Sequence, residues 1–491
     1  MNLQEEWVKL LKETGPGKMM STAYDTAWIA RLVEIGEPIG DLAMEWLREN
    51  QLPDGSWGAA HPLHYHDRVI CTLAAVSALA RRGRPGDRAR LDRAEAALGA
   101  MTPHLKEDPS GETIGFELIV PTLLHEAKAM GAIHHEEIEV LKSLVSLRSA
   151  KLALLPNGTI NRFVTMAFSI EMAGNDGKDL LDIENLQEQN GSISYSPSAT
   201  AYFALYVRRR DPAALAYLRL VAADGTAPNV SPIDVFEQAW VLWNLKFVVN
   251  LLDEKVLDLC SFHLDCLEQS WVPGAGTGFT KNYAPRGGDE TSVVYDVLKF
   301  YGRPVDVAAV LSYEKSYYFC CFNFESNPSI SANSHALSAL QQAGFEKTLP
   351  VIKKILHFLS ESRTNNTFWF DKWHASPYYA TSHAIIACMG YNDQIASSAI
   401  DWILSTQNAD GSWGYYAPTA EETAYCIQAL AIWRRYHNGQ IQTDVFHRGQ
   451  EWLMRHINPP YPPLWIGKCL YCPELVVKSA VLSALTLVES L

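Results

Sequence analysis

The chain has 491 residues, of which 48% are apolar and 20% charged, and its formal net charge is −14. That length is enough for about two to three domains with sizeable cores. The acidic excess argues against a nucleic-acid partner, which would need a basic face, and no run approaches the roughly 18 apolar residues of a membrane span.

The N-terminus and the cysteines predict a cytoplasmic protein. Residues 1–6 are acidic and polar, unlike a signal peptide. The nine cysteines are scattered, and the C-x-x-C formed by Cys469 and Cys472 has no second pair to complete a zinc site. We therefore expect reduced, mostly buried thiols.

A repeated unit predicts the fold class. Its clearest copies are residues 51–58, QLPDGSWG, and 407–414, QNADGSWG, and weaker copies begin at Gln189 and Gln269. Asp-Gly makes a tight turn, the Trp folds back over it, and the Gln amide ties the turn to the next helix start. Strand-like alternation is scarce. The pattern predicts an all-α protein whose helix–turn–helix units close into a helical barrel or a solenoid, with a domain boundary near residue 220.

The acidic stretch at residues 107–117 has two interpretations. It can be a solvated loop, or Glu107, Asp108 and Glu112 can hold Mg²⁺ for a diphosphate, since Mg²⁺ takes oxygen ligands and bridges phosphates. Further basic residues then become candidate phosphate contacts, although a single basic residue is most often a surface charge. These candidates are Lys151, Arg286 and Lys372.

Residues 286–293, RGGDETSV, place two carboxylates between a pair of glycines and a helical run. Carboxylates followed by Thr usually mark a helix N-terminus, and the EET at 421–423 looks similar. The functional interpretation makes Asp289 a proton donor that Glu290 and burial keep protonated, since both raise a pKa. The glycines would let a substrate come close to the backbone.

Residues 329–337, SISANSHAL, are either a helix cap with one satisfied histidine or a site where Asn333 or His335 orients the acid. Aromatic residues, Trp240 and Trp373 among them, are frequent in the later part of the chain. Most of them should pack the core. Collectively they would also suit a cavity that stabilises a carbocation, at about 0.5–2 kcal/mol per ring.

Several catalytic motifs are absent from the sequence. It has no DDxxD magnesium motif, no GxSxG elbow, no Walker loop and no HExxH. A metal-free acid mechanism gains weight by elimination.

At this point the sequence resembles the class II diterpene cyclases, which include copalyl diphosphate synthases. Within that family it is most similar to bacterial halimadienyl (tuberculosinyl) and kolavenyl diphosphate synthases. The resemblance covers nearly the whole chain. The motifs that carry it, in the family's order, are residues 21–28, the two Gln…Asp-Gly-Ser-Trp units, and residues 114–117, 195–201, 234–237 and 371–373.

The resemblance implies two α-helical barrel-like domains, called β and γ. Residues 1–19 would be an N-terminal helix that joins the β domain, 20–220 the γ domain, and 221–491 the β domain with the catalytic acid. It implies an isomerase that protonates the terminal alkene of geranylgeranyl diphosphate, retains the diphosphate and uses Mg²⁺. A homodimer and a downstream class I synthase or phosphatase are the expected partners.

The resemblance also assigns residues. Asp289 falls on the family's general acid, Asn333 on the Asn that holds this acid, and Lys151 on the diphosphate lysine. The magnesium stretch falls on Glu107 to Glu112.

Two positions depart from the family pattern. The first Asp of the acid motif falls on Gly287, so either Glu290 compensates or the chain is an impaired variant. A His–Asn pair that holds water in plant copalyl synthases is replaced by Phe168 with Asn229. An apolar group there would let the cation rearrange, which favours a halimane or clerodane skeleton over the copalyl (labdane) alternative.

Two other classes remain open from the residues. A glycan-active enzyme on a helical barrel would need two carboxyls roughly 5–9.5 Å apart. A non-catalytic helical scaffold or prenyl-diphosphate binder would bind diphosphate without turnover.

Overall fold

The computed structural model describes residues 2–134, 139–155, 158–175, 177–323, 325, 327–437, 439 and 441–491. The chain divides into two compact units. The first, here the acid-bearing unit, comprises Met1–Lys18, Pro232–Pro462 and Cys472–Leu491. The second, the inserted unit, comprises Met19–Ser231 and Pro463–Tyr471.

The acid-bearing unit is built from helices alone among the regular elements of its described residues. Six of them, α10, α12, α14, α16, α18 and α20, contact one another in that order, and α20 returns to α10. This ring is an inner barrel. The helices are α1 Leu3–Glu13, α10 Asp234–Lys246, α11 Glu254–Ser270, α12 Gly288–Phe300, α13 Val307–Leu311, α14 Ile330–Gln342, α15 Pro350–Glu361, α16 Pro377–Cys388, α17 Asp393–Ser405, α18 Ala420–Tyr436, α19 Thr443–Arg455 and α20 Glu474–Glu489.

Inner and outer helices differ in sequence as their burial requires. In α15 only Ile352, Ile355 and Leu359 are buried, a single stripe at helical spacing. In α12 every residue from Thr291 to Leu298 is buried. The inner helices therefore meet neighbours on all sides, whereas an outer helix such as α15 covers them with one face.

The inserted unit repeats this arrangement on a smaller scale. Helices α2, α4, α6, a 3₁₀ helix at Thr165–Ala173 and α8 contact one another in order, and α8 returns to α2. Short antiparallel pairs join β1 to β2 and β3 to β4. Its elements are β1 Ser21–Thr22, α2 Ala23–Ala30, α3 Pro38–Glu49, α4 Tyr65–Arg82, α5 Arg88–Met101, α6 Phe116–Ala129, α7 Glu139–Leu152, α8 Pro197–Tyr202, α9 Pro212–Val221, β2 Ala227–Pro228, β3 Trp465–Ile466 and β4 Leu470–Tyr471.

The unit boundaries differ from those drawn on the sequence. We gave 221–491 to one domain, but residues 221–231 and 463–471 belong to the inserted unit. Strand pairing aligns Ser21 with Pro228, and the Tyr217 hydroxyl donates to the Ser231 carbonyl at 2.8 Å. Such pairings between distant segments leave no periodic signal, so sequence patterns could not locate them.

The predicted turn chemistry of the repeat is confirmed. Gln407 Nε2 donates to the Gly411 carbonyl at 3.0 Å and to Val445, in the first turn of α19, at 2.9 Å. Trp413 Nε1 donates back to the Ile403 carbonyl at 2.8 Å. Gln51 makes the corresponding bonds in the inserted unit. The amide therefore ties each turn to the helix that follows.

All nine cysteines are free thiols, and eight are buried. No helix within the described ranges is both long enough and apolar enough to cross a membrane.

Candidate active site

The backbone at the start of α12 is closely packed, and this packing fixes the two carboxylates. The Gly288 N–H donates to the Cys321 carbonyl at 2.8 Å. A Cβ on Gly288 would overlap the Cys320 carbonyl oxygen and lie 2.8 Å from Tyr313 Cγ, so only glycine fits. No side chain caps the helix at Gly287. The carboxylates are therefore in the first turn without being the N-cap.

Asp289 belongs to a chain of hydrogen bonds. His335 Nδ1 lies 2.5 Å from Asp289 Oδ1, and His335 Nε2 lies 2.7 Å from His383 Nδ1. Burial, reinforced by the charge of His335, keeps the pKa of His383 well below its usual range, so this imidazole is neutral. His383 Nε2 is buried and has no hydrogen-bond partner among the described residues. The acid is thus connected to two imidazoles in series.

Glu290, beside the predicted donor, is the carboxyl with the strongly raised pKa. Burial, and then the charge of Asp289, raises the pKa of Glu290 to about 8. From the sequence we expected these two causes at Asp289. At Glu290 they act on a side chain whose Oε2 is buried with no hydrogen-bond donor among the described residues.

Asn333 does not bind the acid, so this predicted contact is wrong. Its Oδ1 accepts from the Phe319 N–H at 2.8 Å, and its Nδ2 donates to the carbonyls of Phe319 at 3.0 Å and Ser329 at 2.7 Å. Phe319 leads into Cys321, whose carbonyl accepts from Gly288. Asn333 therefore supports the segment on which α12 begins, and His335 makes the direct contact.

Asp371, the first residue of the 371–373 motif, holds the helix that carries His335. Its carboxylate accepts from the Ile330 N–H at 2.8 Å and from the Ser331 hydroxyl at 2.7 Å. These bonds satisfy N–H groups and hydroxyls at the start of α14 that have no partner inside the helix, and the negative charge of the carboxylate suits the helix dipole. The position of His335 is thus fixed by a buried cap.

Trp240 lies beside this chain and Trp373 borders the same support segment. The Trp240 ring centroid is 5.6 Å from that of His335, edge to face, and its Nε1 donates to the Tyr379 hydroxyl at 3.1 Å. Trp373 Nε1 donates to Cys321 Sγ at 3.3 Å. Trp240 is therefore the one of these two predicted rings that contacts the acid chain.

The two basic candidates in the acid-bearing unit differ. Lys372 Nζ is paired with Glu325 Oε2 at 2.7 Å and lies 5.0 Å from the Trp373 ring, so it is already neutralised. Arg286 is half-buried and forms no hydrogen bond or ion pair with any described residue. Arg286 is thus the cation still available to an anion.

The three predicted magnesium ligands have different partners in the inserted unit. Asp108 accepts from the backbone N–H groups of Tyr65 and His66 and from His66 Nδ1 at 2.7 Å, so it caps α4. Glu107 is paired with His104 at 2.6 Å. Asp108 also forms, with His64 and His66, a buried group whose possible ligand atoms all lie within 4.8 Å of one another, so its assignment as a metal ligand stays a prediction.

Glu112 lies against a different carboxyl. Burial, and then the charge and hydrogen bond of Glu117, raises the pKa of Glu112. Lys151 forms an ion pair with Glu117. Two carboxyls and an ammonium thus meet at residues 112, 117 and 151.

Phe168 and Asn229 both contact Lys468. The Lys468 ammonium lies 4.4 Å from the Phe168 ring centroid, and its backbone N–H donates to Asn229 Oδ1 at 3.2 Å. Asn229 Nδ2 donates to Asp25 at 2.9 Å. Both ends of the Asn229 amide are therefore engaged, and the ring of Phe168 covers a buried positive charge.

Two site residues were missed from the sequence. Lys468 is fully buried and binds Glu171 at 2.6 Å, but it lies in the short 463–471 segment, which has no motif. His383 is a single histidine on a helix in which every residue but Ile386 is buried. In both cases the available sequence signal was a single polar residue in an apolar run. Such residues are common in hydrophobic cores without any functional role.

Comparison with known proteins agrees with this architecture. The squalene-hopene cyclase C-terminal domain family matches residues 322–460. The chain is 48% identical to a type B diterpene cyclase of Mycobacterium tuberculosis, covering 96% of each protein. It is 30% identical to an ent-copalyl diphosphate synthase of a Streptomyces species, covering 91% of this chain and 88% of that one.

A solved structure extends the agreement to the fold. The ent-copalyl diphosphate synthase from Streptomyces platensis superimposes with a TM-score of 0.80 at 28% identity, and 99% of each chain is covered. The fold is thus that of the class II terpene cyclases, built from α-helical barrels. Given the 48% identity over nearly its whole length, the chain belongs to the class II diterpene cyclases, which are isomerase-type enzymes.

Proposed function

We propose that this enzyme protonates the terminal alkene of geranylgeranyl diphosphate and cyclises it to a bicyclic diterpenyl diphosphate that keeps its diphosphate. The observation that carries the proposal is the chain from Asp289 through His335 to His383. It holds a buried carboxyl in one orientation, with two imidazoles behind it. The relatives named as diterpene cyclase and copalyl diphosphate synthase support the same reaction class.

The hydrogen bonds assign the proton positions. With His383 neutral, we assign its proton to Nδ1, which donates to His335 Nε2, and the His335 Nδ1–H donates to Asp289 Oδ1. Oδ2 then carries the acidic proton. When that O–H bond breaks and a C–H bond forms on the alkene, the new carboxylate keeps the His335 hydrogen bond, which strengthens as charge develops.

The diphosphate requires cations. Mg²⁺ would be held by the Glu112 and Glu117 carboxyls, and it would screen the charge of the diphosphate. Lys151, which pairs with Glu117 in the same unit, is the basic side chain we assign to this anion. Arg286 and Lys372, which lie in the acid-bearing unit, stay predictions as phosphate contacts.

We assign the product to a rearranged skeleton, halimane or clerodane. The support is Phe168, an apolar ring placed where the resemblance has a water-binding histidine, and the fully engaged amide of Asn229. A cation that meets no ordered water there survives long enough for hydride and methyl shifts. The copalyl skeleton is the second candidate, favoured by the names of the Streptomyces relatives.

The test is incubation with geranylgeranyl diphosphate and Mg²⁺, phosphatase treatment, and mass spectrometry of the alcohols. We expect a bicyclic C20 alcohol from the parent and none from Asp289→Asn. Asp410→Asn is the matched control, because Asp410 is a turn carboxylate whose hydrogen bonds to Ser412 an asparagine can keep.

Geranylgeraniol alone from the parent would contradict the proposal. A bicycle that persists in Asp289→Asn would contradict the assignment of the proton donor. The spectrum of the bicycle distinguishes the halimane, clerodane and labdane skeletons.

A further inference from the structure

Helix α18 of the acid-bearing unit begins with a reciprocal cap between Thr419 and Glu422. The Thr419 hydroxyl donates to Glu422 Oε2 at 2.7 Å, and the Tyr415 N–H donates to Glu422 Oε1 at 2.8 Å. Threonine at the cap and glutamate three residues later is the capping-box spacing. Both oxygens of Glu422 therefore have hydrogen-bond donors.

Helix α12 has the same spacing but lacks the hydroxyl. Gly287 occupies the cap position, and Glu290 follows three residues later. A Cβ on Gly287 would overlap Glu290 Oε2 and would lie 2.9 Å from its Cδ. The carboxyl of Glu290 thus fills the space that any side chain at position 287 would need.

The Glu290 carboxyl, which lies over Gly287, is poorly solvated. Glu290 Oε2 is buried and has no hydrogen-bond partner among the described residues. A buried carboxylate oxygen without a partner is costly when charged. Glu290 is therefore an uncharged acid at neutral pH, in agreement with its pKa of about 8.

Glu290 interacts electrostatically with neighbouring titratable groups. Asp289 is the adjacent carboxyl. Tyr313 is a further titratable neighbour, which interacts electrostatically with both Glu290 and Arg286, and the Phe322 ring closes the Gly287 side. Ionisation of Glu290 therefore acts first on Asp289, the proton donor.

We propose that Glu290 is a positioning residue for Asp289: its carboxyl, held over Gly287, keeps the surroundings of the donor uncharged at neutral pH and adds a negative charge beside it in alkaline solution. The inference rests on the proposed function, in which Asp289 is the donor. A second anion nearby makes a carboxyl release its proton less readily, and a weaker acid protonates an alkene more slowly.

The decisive measurement is the pH profile of kcat for the parent, Glu290→Gln and Gly287→Thr. The parent should lose activity through an alkaline limb near the pKa of Glu290. Glu290→Gln cannot ionise, so its limb should move upward by about one pH unit or more. In Gly287→Thr the new side chain expels the carboxyl toward a cap like that of Glu422, so the limb should move downward.

Glu422→Gln is the matched control, because it makes the same change at the same helix position away from Asp289. The alkaline limb of the Glu422→Gln pH profile should coincide with that of the parent. Identical limbs in the parent and Glu290→Gln would overturn the proposal. Loss of turnover in Glu290→Gln at every pH would also overturn it, because Glu290 would then have to transfer a proton itself.

A second readout does not need turnover. Because the pKa of Glu290 is higher in the folded than in the unfolded protein, the folded state binds more protons, and stability falls as pH rises from about 4.5 to about 8. The Tm advantage of Glu290→Gln over the parent should therefore widen across that window. Absence of cyclic product from the parent would refute the proposed function, whereas a flat Tm difference would refute this inference.

Discussion

The side-chain amide of Asn333 forms two hydrogen bonds with the backbone of Phe319, one to its N–H at 2.8 Å and one to its carbonyl at 3.0 Å. This pair fixes the segment whose Cys321 carbonyl receives the Gly288 N–H. Asn333 thus acts on the acid through the backbone.

Asn333→Ala should destabilise the protein by about 2–4 kcal/mol, since it leaves buried backbone groups of Phe319 and Ser329 unpaired. Urea unfolding measures this cost. Ser331→Ala, which loses one hydroxyl bond to Asp371, is the control and should cost about 1 kcal/mol. Equal stability of the two variants, with activity lost only in Asn333→Ala, would instead mean that Asn333 acts directly on the acid.

His335→Phe should lower kcat by about 10²-fold, because the Asp289 carboxylate left after proton transfer loses its hydrogen-bond donor. His383→Phe, one bond farther away, should have a smaller effect. Saturating turnover with geranylgeranyl diphosphate measures both, and Tm checks folding. A larger loss in His383→Phe would refute the order of the chain.

Lys468→Met should cost about 3–5 kcal/mol, because it leaves the buried Glu171 charge without its partner. The double variant Lys468→Met with Glu171→Leu removes both charges and should recover part of the loss. Chemical denaturation of the single and double variants gives the comparison. If the double variant costs the sum of the single ones, the two residues are not coupled.

Glu188→Gln should stabilise the protein in a pH-dependent way. Burial raises the pKa of Glu188 to about 7, above its ordinary value of 4.5, so the folded state binds the proton more tightly than the unfolded state does. Stability is therefore lost as pH rises from about 4.5 to about 7. The gain in Glu188→Gln should reach at most about 2–3 kcal/mol above pH 7 and vanish near pH 4. Denaturation at pH 4, 6 and 8 tests this, and a pH-independent gain would contradict it.

Phe168→His should shift the product toward the labdane skeleton, because an imidazole beside Asn229 can hold water near the cation. Phe168→Leu is the apolar control and should keep the product of the parent. Mass spectrometry of the dephosphorylated alcohols measures the ratio. An unchanged ratio in Phe168→His would remove Phe168 from the determinants of the skeleton.

The turns of the repeat were predictable from the sequence because their bonds are local. The bonds of Gln407 to Gly411 and of Trp413 to Ile403 span four and ten residues. The residues of one short segment therefore determine them. The apolar residues at helical spacing likewise predicted the all-α fold, which is confirmed. The closing of the rings and the return of 463–471 to the inserted unit depend on contacts between distant segments.

The choice between Asn333 and His335 needed the structure. Residues two apart on a helix point about 200° away from each other, so only one of the two can face Asp289. The sequence left both open, and the resemblance selected Asn333. The surroundings of Asp108 also needed the structure, since its carboxylate meets the start of α4, 43 residues earlier in the chain.

The place of Lys468 in the chain has a consequence for synthesis. The inserted unit receives most of its residues by Ser231, yet Lys468, which neutralises its Glu171, follows after nearly the whole acid-bearing unit. Domains generally fold as they leave the ribosome. In the nascent inserted unit Glu171 therefore has no ammonium partner until Lys468 has been synthesised. Folding of this interior is thus coupled to synthesis of the acid-bearing unit.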